Sequence, residues 1–227
     1  MLIPFSVILA VLMFGLIMQP DMSTLVIICF TGVSMYLLAS APWWHIVCLG
    51  GAGAAFMVLF INTASYRLNR FLSFLQPHSD PMGKGYQLKQ SAIAIGSGKI
   101  FGVANGFSLG LSRQKFGFLP EAITDSIFAI IAEELGFVGG LTLILLFLIF
   151  AWRGLKLAVK NINSFEGLLA SGIVIWISLQ ALLNIGGIVG ILPLTGIPLP
   201  FFSYGGSHII AEMVGVGLLL NISKIKK

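Results

Sequence analysis

The chain has 227 residues, 57% of them hydrophobic and 9% charged, and a mean hydropathy of +1.00. Soluble domains carry roughly 25% charged residues, so a water-soluble core is excluded and the length is taken up by membrane spans of about 20 residues each. The formal charge of +5, from 13 Lys and Arg against 8 Asp and Glu, acquires meaning only when mapped, because in membrane proteins the placement of Lys and Arg reports orientation.

Apolar stretches fall at about 1–18, 24–40, 43–62, 127–152, 166–190 and 204–223, punctuated by Gln19-Pro20-Asp21, by Pro42 and by a Pro-rich segment near 193–200. Backbone amides in lipid need internal partners, and no alternating barrel pattern is visible. The predicted fold is therefore all-α, a polytopic transmembrane helical bundle of about six helices with a large extracytoplasmic loop. Residues 1–62 supply three spans and 63–126 the loop; 127–227 supply three more, with a Pro-rich external loop at 191–203. Residues 1–18 lack a basic n-region and a small-residue cleavage site, and so predict a retained helix. Trp43 and Trp44 suit the headgroup interface. Cys29 and Cys48 lie in apolar runs without metal-type spacing and read as small hydrophobes.

Two short basic segments, Arg153, Lys156 and Lys160, then Lys224, Lys226 and Lys227, are expected on the cytoplasmic side. Counting spans back places both termini inside and residues 63–126 outside. That loop holds Arg67, Arg70, Lys84, Lys89, Lys99, Arg113 and Lys115 against Asp80, Glu121 and Asp125. Long loops cross largely regardless of charge, and the cationic excess points to an anionic partner at the outer surface. Within the loop, residues 66–75 space apolar groups at helical intervals between arginines, as in an interfacial helix. A second such helix is expected from Tyr86 to about Ile95. Glycines at 96, 98, 102, 106 and 110 follow, either as a flexible, close-packing stretch or as plain loop glycines.

The polar groups concentrate before the fourth span, where Arg113-Gln114-Lys115 precedes Leu119-Pro120-Glu121 and Thr124-Asp125. Asp125 at a helix mouth is either a functional carboxylate or an N-terminal cap for a span starting at Ile127. Glu133 and Glu134 lie about two turns into an apolar helix and point about 100° apart, so they serve either internal hydrogen bonding or a polar interior. Gln180 and Asn184 share a helix face and read as amides that tie helices together or line a cleft. The run Leu192 to Ser207 contains three prolines and cannot be continuous helix; Gly205 and Gly206 then open the last span and let its amides approach an anion. His45, His78 and His208 show no metal-ligand spacing. No P-loop, nucleophile elbow or nucleotide fingerprint occurs, and nucleic acid is not an expected partner.

Three strings taken together, Gln19-Pro20-Asp21, Ser112 through Gly136-Phe137, and Leu192 through Gly206, closely resemble the SEDS family (shape, elongation, division and sporulation) of FtsW and RodA proteins. The resemblance covers nearly the whole chain, with Pro-Glu-Ala after Leu119 nearer the FtsW pattern. It implies a peptidoglycan glycosyltransferase of the bacterial cytoplasmic membrane that polymerises lipid II at the outer face. Implied partners are a class B penicillin-binding protein, other divisome or elongasome membrane proteins, and membrane lipids. The family's essential carboxylate, in a Thr-Asp context, falls on Asp125, a general base for the acceptor 4-hydroxyl as undecaprenyl pyrophosphate leaves. Arg113 and Lys115 stabilise the leaving charge, and Glu121, Thr124, Ser203, Tyr204, Gly205 and Gly206 are expected to bind substrate. Glu133, Glu134, Gln180 and Asn184 form a structural polar group. A divalent cation such as Mg or Mn can share the charge stabilisation, although no ligand set is apparent.

The sequence departs from the family pattern at Ile123, where His or Asn is usual, at Ser126, where Phe is usual, and at His208, where a second Ser is common. The stretch Val103 to Ser108 looks longer than the usual Gly-rich turn. The family has about ten helices, and this chain resembles the last six or so, as a fragment or a natural half. Two alternative functions follow: a lipid II flippase, suggested by the broken helix before Tyr204, and a non-catalytic division scaffold.

Overall fold

A computed structural model describes residues 2–18, 22–39, 83–103, 112 and 119–224, together with positions 41, 42, 44, 45, 47, 48, 50, 51, 53 and 74. Among the described residues the regular elements are helices: α1 (Leu2–Met18), α2 (Met22–Leu38), α3 (Lys84–Ser97), α4 (Ile127–Lys160), α5 (Phe165–Val189) and α6 (Gly206–Lys224). The last three are long and apolar enough to cross a membrane, and α1 and α2 hold shorter apolar helices, Pro4–Leu16 and Ser23–Leu38. The chain is an all-α, multi-pass membrane protein. Most of the expected span at 43–62 and nearly all of the interfacial helix at 66–75 lie outside the described residues.

The chain forms two compact units. One comprises Met1–Ala64, Phe150–Leu179 and Ala211–Lys227. Its helices approach through small residues, because lipid offers no hydrophobic drive and close backbone packing must supply the attraction. Gly154 packs on Val174, Gly172 on Met35 and Gly215 on Ile173. Phe5 stacks on Tyr36 with ring centroids 4.5 Å apart, and the Tyr36 hydroxyl lies 2.7 Å from His45 Nδ1. At the start of α5 Ser164 acts as N-cap, its Oγ accepting from Gly167 N at 3.1 Å.

The other unit comprises Ser65–Ile149 and Gln180–Ile210. Its core gathers Ala94, Leu119, Phe128, Ala129, Leu143, Ala181, Ile188, Leu194 and Leu199. The expected helix at 86–95 is present as α3, which buries Gly85 near its start and Gln87, Ser91 and Ala94, an i, i+4, i+7 face of small and polar residues. Ser97 Oγ donates to Ala94 O at its end.

The fourth span runs to Lys160 rather than 152 because Arg153 and Lys156 extend the helix while their cations lie over the Trp152 ring, 5.1 and 5.8 Å from its centroid. It is also broken at Gly136 (φ 71°, ψ −166°). There Phe137 N and Val138 N donate to Lys99 O (2.8 Å) and Ile100 O (3.1 Å), and Val103 N donates to Glu133 O (3.1 Å). The 98–103 turn thus sits in the break. A Cβ on Gly98 or Gly102 would overlap the backbone of Ala132 or Glu134, whereas Gly96 faces open space. These two glycines are close-packing, and Gly106 and Gly110 lie outside the described residues.

Candidate functional site

Between α5 and α6 the backbone is irregular, with Leu194, Ile197, Leu199, Pro200 and Ser203 buried and Ile191, Gly196, Phe202 and Tyr204 exposed. Helix α5 ends at Val189; Gly190 turns with φ +83°, and Ile191 N and Leu192 N both bond Gly186 O, at 2.9 and 3.0 Å. The returning segment, with a second turn at Gly196 (φ +73°), buries Leu194, Ile197 and Leu199.

Two amides of α5 hold this segment. Gln180 Nε2 donates to Pro198 O at 3.0 Å, and Asn184 Nδ2 donates to Ile197 O at 2.7 Å. The second Asn184 donor reaches the backbone oxygen of Asp125, also at 2.7 Å. Farther along, Ser203 is fully buried, its Oγ accepting from Leu199 N at 2.7 Å and donating to Thr124 O. Tyr204 N donates to Ile123 O at 2.9 Å. Residues 123, 124 and 125 therefore each give their carbonyl to the irregular segment or to the helix beneath it.

The turn carrying Asp125 has its own bracing. Thr124 Oγ1 donates to Glu121 Oε2 at 2.7 Å, and Ser126 N donates to Glu121 O at 3.0 Å. Glu121 has φ +50° and Phe201 has φ +66°, uncommon for residues with a Cβ, so each of the two joined segments carries one strained backbone position. Ser126, directly before the first residue of α4, is fully buried; it donates to Pro120 O and accepts from Gln87 Nε2 at 2.9 Å. Asp125 itself is half-buried. It lines a hollow of about 10 Å³ with Gln87, Asn184, Gly187, Ile188, Leu194, Thr195, Gly196 and Ile197.

Of the residues expected to bind substrate, Glu121, Thr124 and Ser203 meet around Asp125. Tyr204 joins them only through its backbone, its side chain being 75% exposed. Gly206 opens α6, with space for a Cβ, and Gly205 is covered by His208. Asn184 lines the hollow, whereas Gln180 holds the irregular segment above it. Glu133 is turned elsewhere: it is buried and accepts from the equally buried Ser112 Oγ, and Glu134 gives its backbone to the Gly102 contact. Arg113 and Lys115 lie outside the described residues, although Ser112 ties the chain beside them to α4.

Gln87, Ser126, Thr195 and Gly196 were not anticipated. A signal existed for Gln87, the polar member of α3's buried stripe, but nothing in the sequence pairs it with residue 126. Glu212, fully buried in α6, also went unremarked, although an acid inside a span is itself a cue. Among the described residues no three His, Cys, Asp or Glu side chains group as metal ligands.

Comparison with known proteins agrees with the motifs. A family model covering FtsW, RodA and SpoVE, described as a cell cycle protein, matches residues 1–227. The chain is 43% identical over 209 residues to stage V sporulation protein E of Bacillus subtilis, covering 92% of this chain and 56% of that protein. It is 42% identical over 222 residues to the probable peptidoglycan glycosyltransferase FtsW of Escherichia coli O6:H1, covering 96% and 52%. It thus spans about half the length of these relatives. A solved chain described under "Structural coordination of polymerization and crosslinking by a peptidoglycan synthase complex" superposes with a TM-score of 0.73 at 26% identity, covering 98% of this chain and 62% of that one. Motifs, helices and relatives agree, and the chain belongs to the FtsW, RodA and SpoVE family.

Proposed function

We propose that this protein is a peptidoglycan glycosyltransferase that polymerises lipid II at the outer face of the bacterial cytoplasmic membrane, with Asp125 as general base. The observation that carries the reading is the convergence on residues 123–125, where three successive carbonyls are bonded by Tyr204 N, Ser203 Oγ and Asn184 Nδ2. Such bracing fixes the backbone beneath one carboxylate while its side chain stays half-buried, the requirement for a positioned base. Relatives named peptidoglycan glycosyltransferase supply the reaction class.

In this reading the Asp125 carboxylate takes the proton of the acceptor 4-hydroxyl as that oxygen attacks the anomeric carbon of the donor. The bond from that carbon to the pyrophosphate oxygen breaks, and undecaprenyl pyrophosphate departs with the electron pair. Arg113 and Lys115 offset the charge that develops on it. Residues 63–126 face outward, both ends of the chain face the cytoplasm, and a class B penicillin-binding protein is the partner that crosslinks the product.

The test is Asp125→Asn in a lipid II polymerisation assay with the partner present. The expected result is a loss of about 10²- to 10⁴-fold with unchanged expression and thermal stability. Full-rate glycan synthesis by this variant would remove the base assignment. Transport of labelled lipid without polymer in the unsubstituted protein would replace it with the flippase reading.

A further inference from the structure

The Asn184 side chain is only 3% exposed, and its geometry leaves one atom unaccounted for. Both Nδ2 hydrogens are committed to carbonyl oxygens, those of Asp125 and Ile197, each at 2.7 Å. Carbonyls only accept, so the orientation of the amide is determined by its partners. Asn184 Oδ1 is therefore turned away from both, and it is buried with no hydrogen-bond partner among the described residues. What Asn184 offers the hollow it lines with Asp125 is this oxygen.

Asp125 lines the same hollow, and its carboxylate Oδ2 faces Gly196: a Cβ built there would lie 3.3 Å from it. Gly196 needs to be glycine for its φ of +73°, and the lack of a side chain keeps this side of the hollow open. Two further polar side chains line it: Gln87, which already spends Nε2 on Ser126, and Thr195, which has an interaction of its own. Two acceptors thus converge on a space of about 10 Å³, the size that holds one water-sized group. Leaving a buried acceptor without a donor is costly, so the space selects for O–H.

We propose that this hollow is a binding site for a single O–H donor, hydrogen-bonded at once to Asn184 Oδ1 and to the Asp125 carboxylate, with Asn184 as a positioning residue for the base. The donor comes either from a resident water or from a hydroxyl of the bound sugar. The inference rests on the reading of Asp125 as base. Through its two faces Asn184 holds the aspartate backbone with Nδ2 and, across the donor, the carboxylate with Oδ1.

The experiment is the pH dependence of kcat/KM and the separate kcat and KM for lipid-linked disaccharide polymerisation, in the membrane-reconstituted protein with Asn184→Leu. Asn184→Ser, which keeps a hydroxyl but cannot reach the hollow, carries the same readout should the leucine variant fail to accumulate. With a resident water, its loss removes a hydrogen bond favouring the carboxylate, and the acidic limb moves up by about one pH unit. With a sugar hydroxyl, the limb stays and KM rises about tenfold. Folded variants in which neither moves overturn the proposal, and a fall in kcat alone does so too, because it marks a purely structural amide. Asp125→Asn is measured alongside: if it remains active the base reading falls, and the site is then judged on KM by itself.

Discussion

Replacing Gly136 by alanine tests whether the break in α4 is imposed by the docked turn. The residue has φ 71° and ψ −166°, a region essentially closed to residues with a Cβ, and occupying it costs about 1–3 kcal/mol. The new methyl would also lie 2.5 Å from Ile100 O and overlap Gly102 N, adding about 1–3 kcal/mol of overpacking. The combined loss is about 2–6 kcal/mol if the turn stays in place. Straightening the helix would relieve the backbone, but it would also release the bonds from Phe137 N and Val138 N to Lys99 and Ile100, each worth about 1 kcal/mol net. The control is Gly217→Ala, inside α6 with nothing within 4 Å of the added methyl, where alanine stabilises by about 0.5–1 kcal/mol. Unfolding by denaturant in one detergent, followed for both variants, should give shifts of opposite sign. A Gly136→Ala protein as stable as the control would refute the link between the turn and the break.

Two further substitutions probe the frame around the site. Ser203→Ala removes the hydroxyl shared by Leu199 N and Thr124 O at a fully buried position, so a loss of about 1–3 kcal/mol is expected together with slower polymerisation. Unchanged thermal stability and rate would show that the 124–203 tie is dispensable. Gly154→Ala would press a methyl onto Val174, whose Cγ1 would lie 3.0 Å away, and Val174→Ala should restore part of the loss. A double-mutant cycle should give a coupling of about 0.5–3 kcal/mol, and strict additivity would mean that the two helices do not meet there.

The environment, the helical class and the order of the chemically interesting groups follow directly from the order of residues. Composition leaves no other solvent than lipid, and the spans expected at 127–152 and 166–190, present as helices 127–160 and 165–189, announce themselves by length and hydropathy because lipid demands internally paired backbone. The helix after Tyr86 was legible from its periodicity, and Asp125 was marked by its motif. Partnership between distant segments, by contrast, becomes visible in the folded chain alone. Nothing in the order of residues says that Asn184 reaches both Asp125 and Ile197, that Gln87 bonds Ser126, or that Ser203 bridges Leu199 and Thr124. The break at Gly136 was hidden because an apolar run reads as one helix whether or not another segment supplies donors and acceptors midway. Hydrophobicity is a local, additive property that a sequence displays directly, whereas hydrogen bonds between remote carbonyls and amides depend on where the folded backbone brings them.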